Sequence, residues 1–585
     1  MGEICAERLI GRLADWGVDT VFGLPGDGIN GIMEGLRRHR DRVRFVLVQH
    51  EEAAAFMATA HAKATGRLGV CLATSGPGGI HLLNGLYDAK LDHAPVLAIT
   101  GAQETGLLGS GYQQEVDLTA LYADVAEYNL LIGNPQQLPG AVDGAIRTAL
   151  ARRGVAHLCL PNDVQLAPAD ADPYEHGAPG VPHHGAPVYP AGVPAPTEEQ
   201  LERAARLLND AKRPAILAGA GALGASRELA RFAEAWGAPV MKTLPGKAAL
   251  PDDSPFTVGG LGLLGTRPSA ELVDDIDTLL MVGTNFPYTR HLPSPQDVRV
   301  AQIDTVPERI GVRLPVTAPI LGDAAESLRR LTPMVRRADE KHLARYQKKM
   351  GSWREEMAAQ ANAERSPIAP QYLAHLLNTH ASDDALLACD SGTVTTWAAR
   401  HWDIRGTREF YLSSTLASMA NGLPYAIAAQ LAYPDRQVIA FVGDGGFAML
   451  MAEFLTAVRH GLPIKVVINN NGSLGQILWE QMVLGYPEHG VRFGSPRSDF
   501  AGWAQSCGVP GTKVTDPVAL PDAVRNLLSH NGPALLDVDV NPDEPPLPGK
   551  ISYQQAVKFA ESFLKGQPRR KQIATTLFRD RIQKL

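Results

Sequence analysis

The chain has 585 residues, a formal net charge of −7 and five cysteines, long enough for roughly four domains of about 150 residues, each with its own core. Cys5, Cys71, Cys159, Cys389 and Cys507 are scattered and lack the C-x-x-C or Cys/His spacing of a structural zinc site, which excludes a disulfide-stapled scaffold and makes a reducing, cytoplasmic setting the expectation. The acidic balance argues against nucleic acid as a partner, and no stretch reaches the roughly eighteen uncharged apolar residues of a membrane span.

At the N-terminus, Glu3, Glu7, Arg8 and Arg12 interrupt any apolar run, so MGEICAERLIGRLADWG reads as an amphipathic helix of the fold and not as a signal peptide. Apolar runs suited to buried strands (VRFVLV, RLGVCLAT, APVLAIT, AHLCL) then alternate with helical stretches, which places a first parallel α/β domain at residues 1–165. Pro, Gly and Ala crowd the following stretch, so residues 166–195 read as a linker in which His183 and His184 form a solvated pair. A second α/β block, residues 196–335, runs from RPAILAGAGALGA through TLLMVGT and VRVAQID to PILGD. After a charged helical stretch and the prolines of SPIAPQYLA, a third block at residues 369–545 alternates again through ALLACDSG, QVIAFVGDGG, PIKVVINNN and PALLDVDV. The expected fold is three doubly wound, Rossmann-like parallel-sheet domains without a detectable sequence repeat, followed by a tail at residues 546–585.

The third block carries the clearest chemistry. VIAFV reads as a buried strand, GDGG as the turn at its carboxyl end, and AMLMAEFLTAVRHG as one helix whose N-terminus faces that turn, the place where open parallel sheets bind ligands. Gly443, Gly445 and Gly446 let a phosphate approach the backbone, and the helix end attracts an anion. Asp444 would repel that anion unless a cation lay between them. Asn471, at the end of the next strand, and the backbone carbonyl of Ser473 can supply further hard oxygen ligands, as magnesium requires.

GDG followed by this length of helix and strand and then NN resembles the diphosphate motif of thiamine-diphosphate (ThDP) enzymes. VFGLPGDGIN, QHEEAAAFMATAHAKATG, TSGPGGIHLLNGL, PVLAITG and LASMANGLPYAIAAQ resemble further family segments in the same order, over about residues 3–560. The likeness is strongest to the pyruvate oxidase and pyruvate:quinone oxidoreductase branch, with acetolactate synthase more distant. It implies ThDP and Mg²⁺ as cofactors, the metal on Asp444, Asn471 and Ser473. It also implies that Glu51 hydrogen-bonds the aminopyrimidine ring and so promotes loss of the thiazolium C2 proton, a role that a buried, protonated carboxyl would serve. Further implied ThDP contacts are Pro25, Gly392, Thr393, Ala417, Ser418, Leu474 and Gly475, with Met419 propping the cofactor into a bent form and Gln114 and Glu480 joining the catalytic set.

In the second block, GAGALG is a formal G-x-G-x-x-G, a weak signal by itself. A nicotinamide site would want an acid at the end of the next strand, where Lys242 stands instead. The stretch resembles the central domain of flavin-bearing relatives, which implies an extended FAD contacting Gly219, Gly221, Gly262, Leu263, Leu264, Gly265, Gly283, Thr284, Asn285, Phe286, Asp304 and Asp323. A central domain without a cofactor is the alternative.

Two positions depart from the oxidase pattern: Gln113 and Gln476 stand where aromatic residues would line a substrate pocket. Two amides offer hydrogen bonds in place of apolar contact, which favours a 2-oxo acid or acceptor larger or more polar than pyruvate. The resemblance leaves three outcomes: oxidative decarboxylation through FAD to quinone or oxygen, carboligation to an acyl acceptor with a structural FAD, and a non-catalytic binding paralogue. It also implies a homo-oligomer, a dimer of dimers, in which Glu51 of one subunit meets Asp444 of another. Ile573, Leu577, Phe578 and Ile582 of the basic tail can share one helical face, either against an anionic membrane or against the protein itself.

Overall fold

The computed structural model of the chain describes residues 2–169, 186–190, 192–546 and 553–582. His183 and His184 therefore lie outside the described residues. The N-terminal stretch forms the amphipathic helix Cys5–Asp15, which buries Leu9, Ile10 and Leu13.

Three six-stranded sheets follow, every paired strand parallel. The first contains β1 (Thr20–Gly23), β2 (Arg44–Leu47), β3 (Gly69–Ala73), β4 (Val96–Ala102), β5 (Ala126–Leu131) and β6 (Val155–Pro161), in the order β2-β1-β3-β4-β6-β5. The second contains β7 (Pro214–Ala218), β8 (Val240–Lys242), β9 (Thr257–Gly260), β10 (Thr278–Val282), β11 (Arg299–Asp304) and β12 (Ala318–Leu321), in the order β12-β11-β10-β7-β8-β9. The third contains β13 (Leu386–Cys389), β14 (Glu409–Tyr411), β15 (Val438–Gly443), β16 (Lys465–Asn470), β17 (Gly511–Val514) and β18 (Ala534–Asp539), in the order β14-β13-β15-β16-β18-β17. Counted within each domain, the first and third sheets share one strand order, while the central sheet has the dinucleotide-type order. β3, β4, β7, β10 and β13 are buried along their whole length, because helices cover both faces of each sheet.

A single apolar cluster joins the first and third domains, running from Phe22, Phe56 and Met57 to Tyr425, Ile427 and Phe447. Its centre is the contact between the helices Glu51–Thr65 and Gly422–Ala432. Lys63 crosses the same seam, donating to Asp92 at 2.6 Å, to the Tyr425 hydroxyl at 2.6 Å and to the Leu412 carbonyl at 3.0 Å. The central domain has cores of its own, around Phe232 and Trp236 on one face and Met241 and Met281 on the other.

One expectation changes, and one alternative is decided. The helix after β15 starts at Asp444 itself and is interrupted: Asp444–Leu450 is followed by the 3₁₀ turn Met451–Glu453 and then by Phe454–Arg459. An acidic residue is favourable in a helix's first turn, and the tightened turn lets the fully buried Glu453 reach the first domain. The tail forms the helices Tyr553–Leu564 and Arg570–Ile582, which pack on the helix Gly475–Val483. Ile573 is fully buried with Leu478, Trp479 and Met482, Leu577 packs against them, and Phe559 stacks on Trp479. These two residues of the tail's apolar face thus cover the protein's own surface, the second of the two readings the sequence allows; the side chains of Phe578 and Ile582 lie outside the described residues. Among the described residues no helix is long and apolar enough to cross a membrane.

Candidate active site

The register of β15 with β16 pairs Gly443 with Asn469, which sets Asp444 beside the turn that follows Asn470. Asp444 is 5% exposed, and its Oδ2 accepts a hydrogen bond from the Gly472 amide at 2.7 Å. Burial raises its carboxyl from the ordinary 3.8 to about 6. Asn471 Oδ1 accepts from the Ser473 amide at 2.9 Å, and Asn471 Nδ2 lies 3.4 Å from Thr393 Oγ1. The starts of the helices Asp444–Leu450 and Thr393–His401 therefore converge on one turn.

This turn fits a metal and a diphosphate. A Cβ on Gly475 would lie 2.7 Å from Asn471 Nδ2, and one on Gly446 would lie 1.9 Å from Asp390 Oδ2, whereas Gly443 and Gly392 face open space. The glycines thus leave a cradle with two helix N-termini, and the buried carboxylate beside an amide oxygen is a hard donor set for a divalent cation. Leu474 closes the turn, its amide bonded to the Val491 carbonyl. The sequence motifs do not single out Asp390; it is fully buried under Gly446, one oxygen lacks a partner, and burial raises its carboxyl to about 7.

The second half-site is on the first domain. Glu51 opens the helix Glu51–Thr65, is 7% exposed, and its Oε2 lies 3.0 Å from His81 Nδ1. His50, stacked on His81, accepts the Glu52 amide. His50, Glu51 and His81 bring potential ligand atoms within 4.8 Å of one another, but the Glu51–His81 contact already accounts for the cluster as a means of orienting Glu51. The backbone turn before Glu51 is held from the third domain: the amides of Gln49 and His50 both donate to Glu453 Oε1, at 2.8 and 2.9 Å. Its other oxygen takes the Thr456 hydroxyl at 2.8 Å, and burial pushes its pKa up.

Ala417 and Gln114 both adopt left-handed backbone, with φ of 54° and 60°, a cost that persists where the surroundings enforce it. Gln114 abuts Gly76, and Ser418 Oγ accepts from Asn84 Nδ2 at 2.9 Å. Met419 is half-buried, and Pro25 is exposed at the rim. Gln476 donates to Glu480 at 3.1 Å and keeps a buried amide oxygen unpartnered, whereas Gln113 is exposed. Among the described residues, no hydrogen bond or ion pair joins Glu51 to Asp444 or Gln113 to Gln476.

At the carboxyl edge of the central sheet, Gly219 and Gly221 pack against the turn at Gly283 and Thr284, where a Cβ on Gly219 would lie 2.4 Å from Thr284 Cβ. These glycines have a packing reason of their own. The fit to a dinucleotide rests instead on Asn285, whose Oδ1 is buried without a partner, and on Asp304, a 7% exposed carboxylate at the end of β11 whose pKa burial raises. Gly262, Leu263, Leu264, Gly265 and Phe286 form the neighbouring wall, a Cβ on Gly262 lying 3.0 Å from the Phe286 ring. Asp323 accepts the Glu326 amide at 3.0 Å and so caps the helix Ala324–Leu331.

Three domains, a metal-type turn and a buried glutamate opening a helix define a class, and the comparisons agree with it. Residues 5–121, 201–331 and 390–538 match the N-terminal TPP binding domain, the central domain and the C-terminal TPP binding domain of the thiamine pyrophosphate enzymes. The chain belongs to that family. Over 554 residues, 94% of each chain, it is 44% identical to the "Putative thiamine pyrophosphate-containing protein YdaP" of Bacillus subtilis. It is 33% identical over 564 residues to the pyruvate oxidase of Lactiplantibacillus plantarum, covering 95% of this chain and 92% of that one. A "probable acetolactate synthase large subunit" of Methanocaldococcus jannaschii is 32% identical over 556 residues, 92% of each chain.

Sequence reasoning misses His81, Asp390 and Glu453. Asp390 has a readable signal, an acid at a strand end two residues before a glycine. The partner of Glu453 is about four hundred residues away in the chain, a distance no local pattern spans.

Proposed function

We propose that the protein is a ThDP- and Mg²⁺-dependent enzyme that decarboxylates a 2-oxo acid oxidatively, with FAD in the central domain. The observation that carries this reading is the coexistence of the Asp444–Asn471 turn and buried Glu51 with a central crevice whose Asn285 oxygen has no partner. Asp444, Asn471 and the Ser473 carbonyl would hold magnesium against the diphosphate, while Gly443, Gly445, Gly446 and the start of the Thr393 helix would line its path. Glu51, steadied by His81, would hydrogen-bond the aminopyrimidine. ThDP, when bound, supplies the electron sink for loss of carbon dioxide, and FAD supplies a two-electron acceptor. Glu480, Gln476, Gln113 and Gln114 would meet the substrate, the amides favouring one more polar than pyruvate.

We further read the active form as a homo-oligomer in which the Glu51 half-site of one subunit faces the Asp444 half-site of another. Exposed apolar side chains flank both halves: Ile80, Tyr112 and Val116 on the first domain, Met449, Ile477 and Phe493 on the third. Such rims suit a protein interface.

A second reading, a carboligase with structural FAD, is favoured by the nearly equal identity to the pyruvate oxidase and to the acetolactate synthase. Anaerobic mixing of the loaded protein with a panel of 2-oxo acids separates the two. The expected result is carbon dioxide release with bleaching of the flavin absorbance and a carboxylic acid product; release with an unbleached flavin and an acyloin product would favour the carboligase.

A further inference from the structure

The seam between the central and third domains holds a cavity of about 460 Å³, within the size range of small-molecule sites. The helix Glu340–Gln360 covers one side with Met350, Trp353 and Met357, packed together and largely buried. Lys247, Arg400 and His401 also line it, the Arg400 guanidinium lying 6.0 Å from the centroid of the Trp353 ring.

The charge balance of that wall is incomplete. Arg400 makes only long hydrogen bonds, 3.3 and 3.5 Å, to the carbonyls of Leu264 and Leu263. The carboxylate that acts on it, Glu356, is itself bound by Arg267 at 2.7 Å, and burial lowers the Arg400 pKa to about 10. Lys247 and Lys242 share one carboxylate, Asp252, at 3.3 and 2.7 Å. His401 is 6% exposed, its Nε2 has no hydrogen-bond partner, and burial keeps the ring neutral, with a pKa of about 3. Asp253 and Asp403 also line the cavity but are exposed to solvent. Lys247 is buried and donates besides to the Ala399 carbonyl at 3.1 Å, while Arg400 is partly buried; cations that share their carboxylates, beside an unsatisfied ring nitrogen, are costly to hold away from water, and an anion entering the cavity would offset that cost.

We propose that this cavity binds a small organic anion, its carboxylate or phosphate head on Arg400, Lys247 and His401 and its apolar body on Met350, Trp353 and Met357. The cavity also touches the loop that carries Leu264 and Gly265, so an occupant would press on the wall assigned above to the flavin crevice. The site is thus an effector site placed to act on the central domain.

The test titrates the protein loaded with ThDP and Mg²⁺, with and without FAD, against phenylacetate and against phenyl phosphate, by calorimetry and tryptophan fluorescence. At least one of the two is expected to bind at one site per chain both with and without FAD, its affinity shifted by FAD because the two sites share the Leu264–Gly265 loop, and which one binds tells the head group. Arg400→Met is expected to weaken binding by roughly tenfold or more, the loss of one charge-assisted partner, and Trp353→Phe to remove the fluorescence change but not the heat. Should Arg400→Met melt early, Met357→Trp, which fills the cavity and removes no charge, is expected to abolish the heat in its place. Absence of binding by the unmodified protein would overturn the proposal. So would binding that survives Arg400→Met or Met357→Trp, or binding that FAD competes away, which would make the cavity a limb of the flavin crevice.

Discussion

The first and third domains share one strand order yet have different chemistry at their strand ends, and the turn after the second strand of each shows how. In the first domain that turn leads from β2 into the helix Glu51–Thr65 and delivers a carboxylate, its amides held by Glu453. In the third it leads from β14 to the helix Gly422–Ala432 and delivers Ala417, Ser418 and Met419, with left-handed backbone at Ala417 and Ala420. The two helices then pack on each other. A repeated scaffold thus presents a buried carboxyl from one copy and a shaped wall from the other, and the Asp444–Asn471 turn comes from the third strand of the second copy. What differs is the loop chemistry, not the sheet.

The largest expected effect breaks this division of labour directly. Asp444→Ala is expected to lower magnesium-dependent ThDP affinity by roughly a thousandfold, about 4 kcal/mol, with activity lost alongside. Glu51→Gln is expected to leave ThDP affinity within about tenfold and to cut carbon dioxide release by about 10²- to 10⁴-fold, the range for a positioned proton-transfer group. Calorimetry with ThDP beside a release assay distinguishes them; equal loss of binding in both variants would refute separate roles.

Next in size is a pH dependence specific to the third-domain copy. The folded value of Asp444, about 6, is above the ordinary 3.8, so the cofactor-free folded protein holds a proton that the unfolded chain releases. The stability this confers is fully present below about 4 and is lost as pH rises through about 6, a change on the order of 3 kcal/mol. Asp444→Asn should flatten that part of the profile, although Asp390, raised to about 7, keeps a similar dependence in both proteins. Magnesium needs the ionised carboxylate, so its apparent affinity should fall about tenfold per unit below pH 6. Chemical denaturation at several pH values and magnesium titrations read the two effects.

Smaller again is the link between the copies. Glu453→Gln keeps an acceptor oxygen but removes the charge that two amides and a hydroxyl share, so a loss of roughly 1–2 kcal/mol is expected. If Glu453 positions Glu51, turnover should fall about tenfold while ThDP affinity holds, and the conservative change Glu453→Asp should retain part of the turnover that Glu453→Gln loses. A uniform drop in stability without a change in turnover would make Glu453 structural only.

How much of this is legible in the sequence follows from range. The strand runs and Asp444 with Asn471 are set by local pattern: a buried strand needs an apolar run, and a strand-end turn needs its glycines; Glu51 and the central glycines come only through the resemblance. The shared strand order of the first and third domains leaves no sequence repeat, because many apolar sequences fill equivalent strands. Glu453, His81 and the cavity at Arg400 depend on pairings across long stretches of chain, and the break at Met451–Glu453 exists to serve one of them. Resemblance makes Asp323 a flavin contact, whereas its visible work is the cap of the helix Ala324–Leu331.

The smallest prediction sharpens the contrast between the two turns. Ala417 has φ of 54° with its side chain exposed, so the left-handed backbone costs about 1 kcal/mol that glycine would not incur. Ala417→Gly should therefore raise the melting temperature of the cofactor-free protein slightly, a gain of roughly 0.5 kcal/mol after the added freedom of the unfolded chain. If the strain serves to present Met419, the ThDP-loaded protein should gain less than the cofactor-free protein, because the loosened turn gives up part of its preorganisation. Equal gains in the two states would mean that the strain belongs to the fold alone, and that only the first-domain turn is held for chemistry.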